Sequence, residues 1–292
     1  MQSLTAAHDF PVAVVWLRER PEPPAFRALP APNWLPPWVD LVPFAQRPGR
    51  HELHEQGACY CLDPSSVFMA QGLSAVTGAD TVLDVCASPG GKSVMAWRAL
   101  QPSRLFSNEV IGKRIGALIS NLKRCQIAPV SVLSVDTVQL PTAAAGAFDV
   151  VLVDAPCSGQ SLIARGKPSP GCFHPATINM NANRQRRILA NSMAAVKPGG
   201  WLIYMTCTYS LKENERNVDW LLKKHPTFEA QQIPILAAFR SDYTTTPCYR
   251  MWPMSEIGAG GFVCALRNVA EDNTRPGSRG VGLSSVPVRW SA

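Results

Sequence analysis

No apolar stretch in the 292 residues approaches the roughly 20 that a membrane-spanning helix needs. The richest runs, Val150-Val151-Leu152-Val153 and Trp201-Leu202-Ile203-Tyr204-Met205, are only as long as strands, so the chain is expected not to be integral to a membrane. A basic start followed by an apolar segment is also missing, and Asp9, Glu19 and Glu22 do not suit an organelle transit peptide. A cytoplasmic location is the resulting expectation. The nine cysteines are odd in number and scattered, unlike a paired extracellular framework, which points to reduced thiols. Zinc spacing is lacking too. Cys59 and Cys61 are the close pair, and no second His or Cys pair completes a set, so no metal is expected. Internal repeats, a GxGxxG fingerprint and a phosphate P-loop are all absent.

What is present is an ordinary globular mixture, 46% hydrophobic and 17% charged. At this length folding buries roughly three quarters of the unfolded surface, enough for a core without covalent staples. Lys plus Arg number 28 against 21 for Asp plus Glu, and the resulting +7 suits a polyanionic partner such as RNA. Ten of the 26 prolines fall in the first 50 residues, which excludes long helices there. Residues 1–50 therefore read as a Pro-rich arm. Its Trp16, Trp34, Trp38 and Phe44 either anchor it on the main domain or stack on nucleobases, with anchoring favoured. Residues 51–267 read as the main domain. From Asn268 the composition turns to Gly, Ser, Pro and Arg, which suggests a flexible tail over 268–292.

Within 51–267, strand-like and helix-like segments alternate. Strands are expected over 81–86, 105–110, 130–135, 148–154 and 201–206, with helices over 92–101, 112–124, 183–196 and 213–224, and two late strands at 249–253 and 261–267. This order predicts an α/β fold with a doubly wound, mostly parallel sheet. In such sheets ligands lie beyond the carboxyl ends of the strands, so strand-end residues carry the functional information. The first expected strand runs into Cys86-Ala87-Ser88-Pro89-Gly90-Gly91-Lys92, where two glycines would let a ligand approach the backbone. The second ends at Glu109, a carboxylate placed to accept from two ribose hydroxyls and thus to bind a nucleoside-bearing ligand. The third and fourth end at Asp136 and Asp154. Cys157 and Cys207 also stand at strand ends, whereas Cys86, Cys125, Cys172, Cys248 and Cys264 read as small buried hydrophobes.

These motifs together resemble the RNA cytosine-5 methyltransferases of the bacterial RsmB and eukaryotic NSUN group. Asp84 to Lys92 is similar to that family's S-adenosylmethionine loop, Asn108-Glu109-Val110 and Val135-Asp136 to its ribose and adenine acids, and Asp154 to Gly159 and Thr206-Cys207-Thr208 to its two cysteine motifs. Lys197 to Gly200, Glu213-Asn214-Glu215 and Gly260-Gly261-Phe262 also match. The chain departs from the pattern at Leu62, Thr208 and Val263, where the family has Gln, Ser and Phe. The resemblance implies a Rossmann-like class I methyltransferase fold and S-adenosylmethionine as cofactor. It further implies ribosomal or transfer RNA as the partner of a monomer. It assigns Cys207 as the nucleophile that adds to carbon 6 of cytosine and Cys157 as the residue that serves its release. Cys86, Ala87, Ser88, Pro89, Gly90, Gly91, Lys92, Glu109, Asp136 and Asp154 fall to the cofactor. Asp154 has a second possible role, donating to ring nitrogen 3 when protonated. Arg184, Arg186, Arg187, Lys113, Arg114, Lys123 and Arg124 are candidates for guiding RNA phosphates. A non-enzymatic RNA-binding assembly factor and a small-molecule or protein methyltransferase are the competing readings.

Overall fold

The computed structural model describes residues 8–271 and 287–292. Two sheets are present among them. The smaller holds β1 (Val12–Trp16), β2 (Val39–Val42) and β3 (Cys59–Leu62) in the order β2-β1-β3, all antiparallel. The expected boundary at residue 50 therefore does not divide the molecule, because the Pro-rich arm supplies two of these strands and the following segment the third. Short stretches of four and five residues fit between prolines, a possibility that the search for long helices passed over. The aromatic residues of the arm largely anchor it. Trp34 is buried edge-on against Phe68, with ring centres 5.6 Å apart, and the Trp16 indole donates to Asp40 at 2.6 Å. Phe44 is the exception and stays half exposed.

The larger sheet is built from β4 (Thr81–Asp84), β5 (Arg104–Asn108), β6 (Val130–Leu133), β7 (Phe148–Asp154), β8 (Val196–Thr206), β9 (Phe228–Gln231), β10 (Tyr249–Met251), β11 (Gly261–Asn268) and β12 (Val288–Ser291). Its order is β10-β11-β8-β7-β4-β5-β6-β12, with β9 also paired to β11. The five strands from β6 across to β8 are parallel, and antiparallel strands close both edges. β12 lies in the segment expected to be a flexible tail. Its pairing with β6 gives the end of the chain a place, while 272–286 lie outside the described residues. The helices are α1 (Glu52–Glu55), α2 (Pro64–Ala70), α3 (Gly91–Leu100), α4 (Gly112–Arg124), α5 (Leu140–Ala143), α6 (Ser161–Ala164), α7 (Pro175–Met193) and α8 (Glu215–Lys224). None among the described residues is long and apolar enough to cross a membrane.

Two boundaries differ from the periodic reading for clear reasons. α7 starts eight residues earlier than expected, at Pro175, because the His174 side chain accepts from the Ala176 amide and proline suits the first helical turn. β8 starts at Val196, where Lys197-Pro198-Gly199-Gly200 makes an irregular strand entry with Gly199 at φ +76° rather than a stop.

The parallel strands send alternate side chains to two apolar layers. Val82, Val150, Leu152 and Ile203 meet α3, α4, α2 and the small sheet, whereas Leu83, Val151, Val153 and Leu202 meet α7 and α8. Gly57 fixes how closely the small sheet approaches the end of α4. Its φ is +71°, and a Cβ there would fall 1.7 Å from the Arg124 carbonyl oxygen. Gly57→Ala is expected to cost more than about 2 kcal/mol, read as a lower urea midpoint with an unchanged slope. An unchanged midpoint would show that the junction can yield.

Candidate active site

The chain runs outward from β4 to β5 and β6, then returns to β7 and β8 on the other side of β4. The strand order thus reverses between β4 and β7, and a crevice opens at their carboxyl ends. Asn108 ties three strand ends together there. Its amide nitrogen donates to the carbonyls of Val85 and Val135, both at 3.0 Å, and its oxygen accepts from the Val135 amide at 2.8 Å. Ser88 and Arg114 exchange hydrogen bonds of 3.0 and 2.6 Å, which hold the loop after β4 against α4.

The two glycines of that loop pack closely against neighbouring elements, and Gly91 also lines a cavity. A Cβ on Gly91 would lie 2.8 Å from Leu62 of β3, and one on Gly90, at φ +114°, would lie 3.3 Å from Leu118 of α4. They let the loop sit between the small sheet and α4.

The expected cofactor residues divide between two cavities. One, of about 870 Å³, is lined by Cys86, Glu109, Arg114, Asp136, Arg184 and Arg187 among others. Glu109 is buried. Its Oε1 accepts from the Ile111 amide at 2.9 Å, and its Oε2 makes no hydrogen bond, although Arg114 lies 3.3 Å away. A buried oxygen that faces a cavity without a donor suits a ligand hydroxyl, so this donor set fits a nucleoside. Asp136 is exposed, with one oxygen capping the Val138 amide at 3.0 Å.

The other cavity, of about 830 Å³, is lined by Ala87, Ser88, Pro89, Gly91, Lys92 and Asp154, with the small sheet as its far wall. Lys92 is buried and pairs with Asp154 at 2.9 Å. Asp154 thus lines this cavity, whereas Glu109 and Asp136 line the other.

Cys157 and Cys207 are partly exposed, and their sulfurs lie 3.2 Å apart. The adjacent parallel strands β7 and β8 lead into them. A hydrogen bond from the Cys157 thiol holds the Cys207 pKa below the ordinary thiol value against the opposing effect of burial. Ser161 and Lys92 act in the same direction. The same bond, then burial and the Glu213 charge, keep Cys157 well above that value. The two shifts run in opposite directions, so negative charge is favoured on Cys207 over Cys157. Burial pushes Cys86 up, which removes it as a competing nucleophile.

Buried Glu213 holds the two cysteine loops together. It accepts from the Ser158 amide at 2.9 Å, the Ser158 hydroxyl at 2.6 Å and the Gln185 amide at 2.9 Å. Ser158 also meets the Thr208 hydroxyl at 2.8 Å, so the loop after β7 is bonded to the loop after β8 through Ser158.

A family model described as 16S rRNA methyltransferase RsmB/F matches residues 73–267. The chain belongs to this family. It is 30% identical over 251 residues to ribosomal RNA small subunit methyltransferase F of Klebsiella pneumoniae, a match covering 82% of this chain and 53% of the relative. The same-named protein of Escherichia coli O9:H4 is 32% identical over 219 residues, covering 73% and 46% respectively. The chain thus spans about half the length of the relatives it matches. Among solved structures, a methyltransferase homolog from Pyrococcus horikoshii superposes with a TM-score of 0.74 at 20% identity, covering 91% of this chain and 88% of that one. NSun6 from Pyrococcus horikoshii, solved with SFG, gives 0.66 at 24% identity, covering 76% and 56%. Both share the fold expected from the strand order.

Several residues at this RsmB/F site escaped the sequence reading. Glu213, Gln185 and Ser158 are the main ones, and only the positions of Ser158 and Glu213 inside family motifs hinted at them. Of the expected RNA-guiding residues, Arg124 stacks on Tyr60, and Arg186 stacks on Trp220 and donates to Asn217. Arg114, Arg184, Arg186 and Arg187 line the cavity that holds Glu109. The cations of the Lys92 cavity are Arg47, Arg50, Arg165 and Lys167, from short loops that carry no periodic signal.

Asp84, at the end of β4, is fully buried and accepts from Ser93 at 2.7 Å. Burial pushes its pKa from 3.8 up to about 7, the Asp154 charge adds to the rise, and Ser93 and Lys92 oppose it. The folded chain therefore binds this proton more tightly than the unfolded chain. Its contribution to stability is fully present near pH 4, declines as pH climbs toward about 7, and stays low above that. Asp84→Asn keeps an acceptor for Ser93 and removes the titration. Its urea stability relative to the parent is expected to rise by at least about 1 kcal/mol between pH 5 and pH 8. A flat difference would mean that Asp84 titrates at its ordinary value.

Proposed function

We propose that this chain transfers a methyl group from S-adenosylmethionine to carbon 5 of a cytosine in ribosomal RNA, with Cys207 as nucleophile. The observation that carries this reading is the pair of sulfurs 3.2 Å apart just beyond the ends of β7 and β8. A small-molecule or protein methyltransferase has no need of two such thiols. The relatives are named for ribosomal RNA of the small subunit, which supports ribosomal over transfer RNA as the substrate. That substrate suits a cytoplasmic location. Both cysteines and both cavities come from one chain, so a monomer suffices.

Glu109, Asp136 and Cys86 hold the nucleoside end of S-adenosylmethionine in the larger cavity, and the turn from Ala87 to Lys92 leads from there toward the sulfurs. When bound, the cofactor supplies an electrophilic methyl group. Carbon 5 of cytosine is a poor nucleophile while the ring is aromatic. The Cys207 thiolate forms a bond to carbon 6, and the displaced electron pair activates carbon 5. Attack comes from the face of the ring, so the base must be unstacked, and the Lys92 and Asp154 cavity with its four cations is suited to an extruded nucleotide and its phosphates. Asp154, held by Lys92, contacts the pyrimidine edge from this side.

After methylation the carbon 5 proton must leave so that the sulfur–carbon 6 bond can break. Cys157 performs this step, for a reason that lies in the pair itself. While Cys207 is a thiolate, its negative charge keeps the Cys157 proton in place. Once the Cys207 sulfur is bonded to carbon, that charge is gone, the Cys157 pKa falls, and the thiol can release its proton and act as base.

The two cysteine variants are expected to fail differently. Cys207→Ala reduces methyl transfer to background. Cys157→Ala still forms the adduct but releases it poorly, so an enzyme–RNA complex survives denaturing electrophoresis. Removing the Cys157 hydrogen bond also shifts the pH midpoint for alkylation of Cys207 upward, measured peptide by peptide with iodoacetamide. Loss of the trapped complex in Cys157→Ala, or its appearance in Cys207→Ala, would reverse the roles.

Cofactor binding gives a separate test. Glu109→Ala is expected to weaken S-adenosylmethionine by about tenfold to a hundredfold in calorimetry, the worth of a hydrogen bond to a charged acceptor. Unchanged affinity in a folded variant would remove Glu109 from the site.

A further inference from the structure

The sequence argument against a metal rested on spacing along the chain, and folding changes the set of neighbours. β3 is extended, so Cys59 and Cys61 point to one face of the small sheet while Tyr60 packs on the other, against α4. His51 caps α1 by accepting from the Leu53 amide, and this short helix delivers His54 to the cysteine face. One ligand atom from each of His54, Cys59 and Cys61 then lies within 4.8 Å of the others. Neighbouring ligand atoms around a tetrahedral zinc ion, with bonds near 2.3 Å, are about 3.8 Å apart, so little movement is needed to close the set.

Three further observations bear on this cluster. The His54 Nδ1 is buried and has no hydrogen-bond partner. Its backbone carbonyl accepts from the Arg124 guanidinium, which also stacks on Tyr60 with 5.4 Å to the ring centre, so α1 and β3 are held in place by one side chain. Cys59 is buried while His54 and Cys61 are partly exposed, which leaves one side of the cluster open to water.

We propose that His54, Cys59 and Cys61 bind one zinc ion, with water in the fourth position. Two thiolates and an imidazole match zinc better than they match the hard cations, which prefer oxygen. The site lies outside the methyl-transfer chemistry and clips together part of the cavity wall. Cys61 itself lines the Lys92 and Asp154 cavity, as do Arg47, Arg50 and Tyr60 on either side of α1. Zinc at this point would fix the loop that presents the two arginines relative to β3.

The full chain, purified reduced from zinc-supplemented medium and passed through gel filtration, is expected to retain about one zinc per molecule by elemental analysis. Exchange for cobalt should give a thiolate-to-cobalt charge-transfer absorption. The double variant Cys59→Ser with Cys61→Ser should lose both signals. Cys157→Ala with Cys207→Ala, which removes the other pair of adjacent sulfurs, should keep both. His54→Ala, at a partly exposed position that leaves both cysteines unchanged, should weaken zinc at least about tenfold against a competing chelator, whether or not the cysteine variant folds. Three results would overturn the proposal. They are no retained zinc and no charge-transfer band in the parent, signals that vanish with Cys157 and Cys207 instead, and unchanged zinc affinity in folded His54→Ala. None depends on methyl transfer, so failure here leaves the proposed reaction standing.

Discussion

Glu213 lies fully buried between the loops that follow β7 and β8, and its carboxylate takes hydrogen bonds from the Ser158 backbone, the Ser158 hydroxyl and Gln185. An ionised group is placed in such surroundings only when donors compensate the loss of water. The donors come from two segments, the loop after β7 and α7, so satisfying one carboxylate draws both to the loop after β8. The spacing of the two sulfurs follows from this convergence together with the parallel pairing of β7 and β8. A buried second pair, Arg250 with Glu215, extends the arrangement behind the site by linking β10 to the start of α8, and Arg250 also donates to the Tyr209 carbonyl at 3.1 Å.

The chemistry depends on inequality within a symmetric-looking pair. Two thiols of equal acidity could share one hydrogen bond either way. Lys92 and Ser161 favour negative charge on Cys207, whereas the Glu213 charge disfavours it on Cys157. The same carboxylate that positions the loops thus also disfavours negative charge on Cys157. Lys92 has a similar double part, since it pairs with Asp154 across the strand-order reversal while acting on Cys207.

The small sheet gives the proline-rich arm its purpose. β1 and β2 carry no catalytic group, yet with β3 they form a rigid face whose inner side joins the main core and whose edge walls the Lys92 cavity. Gly91 and Gly57 mark where this sheet meets the loop after β4 and the end of α4, at distances no larger residue would allow. Cavity shape on that side is therefore set by packing between two sheets rather than by either alone.

How much was legible beforehand follows from the range of each signal. The alternation of apolar residues along β4, β7 and β8 is a local property, and so is the position of a polar residue where such a run ends. The succession of strands and helices, the expected α/β class and the strand-end placement of Glu109, Asp154, Cys157 and Cys207 could therefore be read directly. The short strands of the arm were hidden among prolines, and β12 among polar residues, because their partners lie far away in the chain. The division of the cofactor residues between two cavities, the packing role of Gly90 and Gly91, the Glu213 junction and the meeting of His54 with Cys59 and Cys61 were decided only by tertiary structure. Each depends on which segments the sheet order brings together, and a contact such as Ser158 with Glu213, 55 residues apart, leaves no periodic trace in either segment. The sequence by itself determined which chemical groups stand at the strand ends, and the folded arrangement decided which of them face one another.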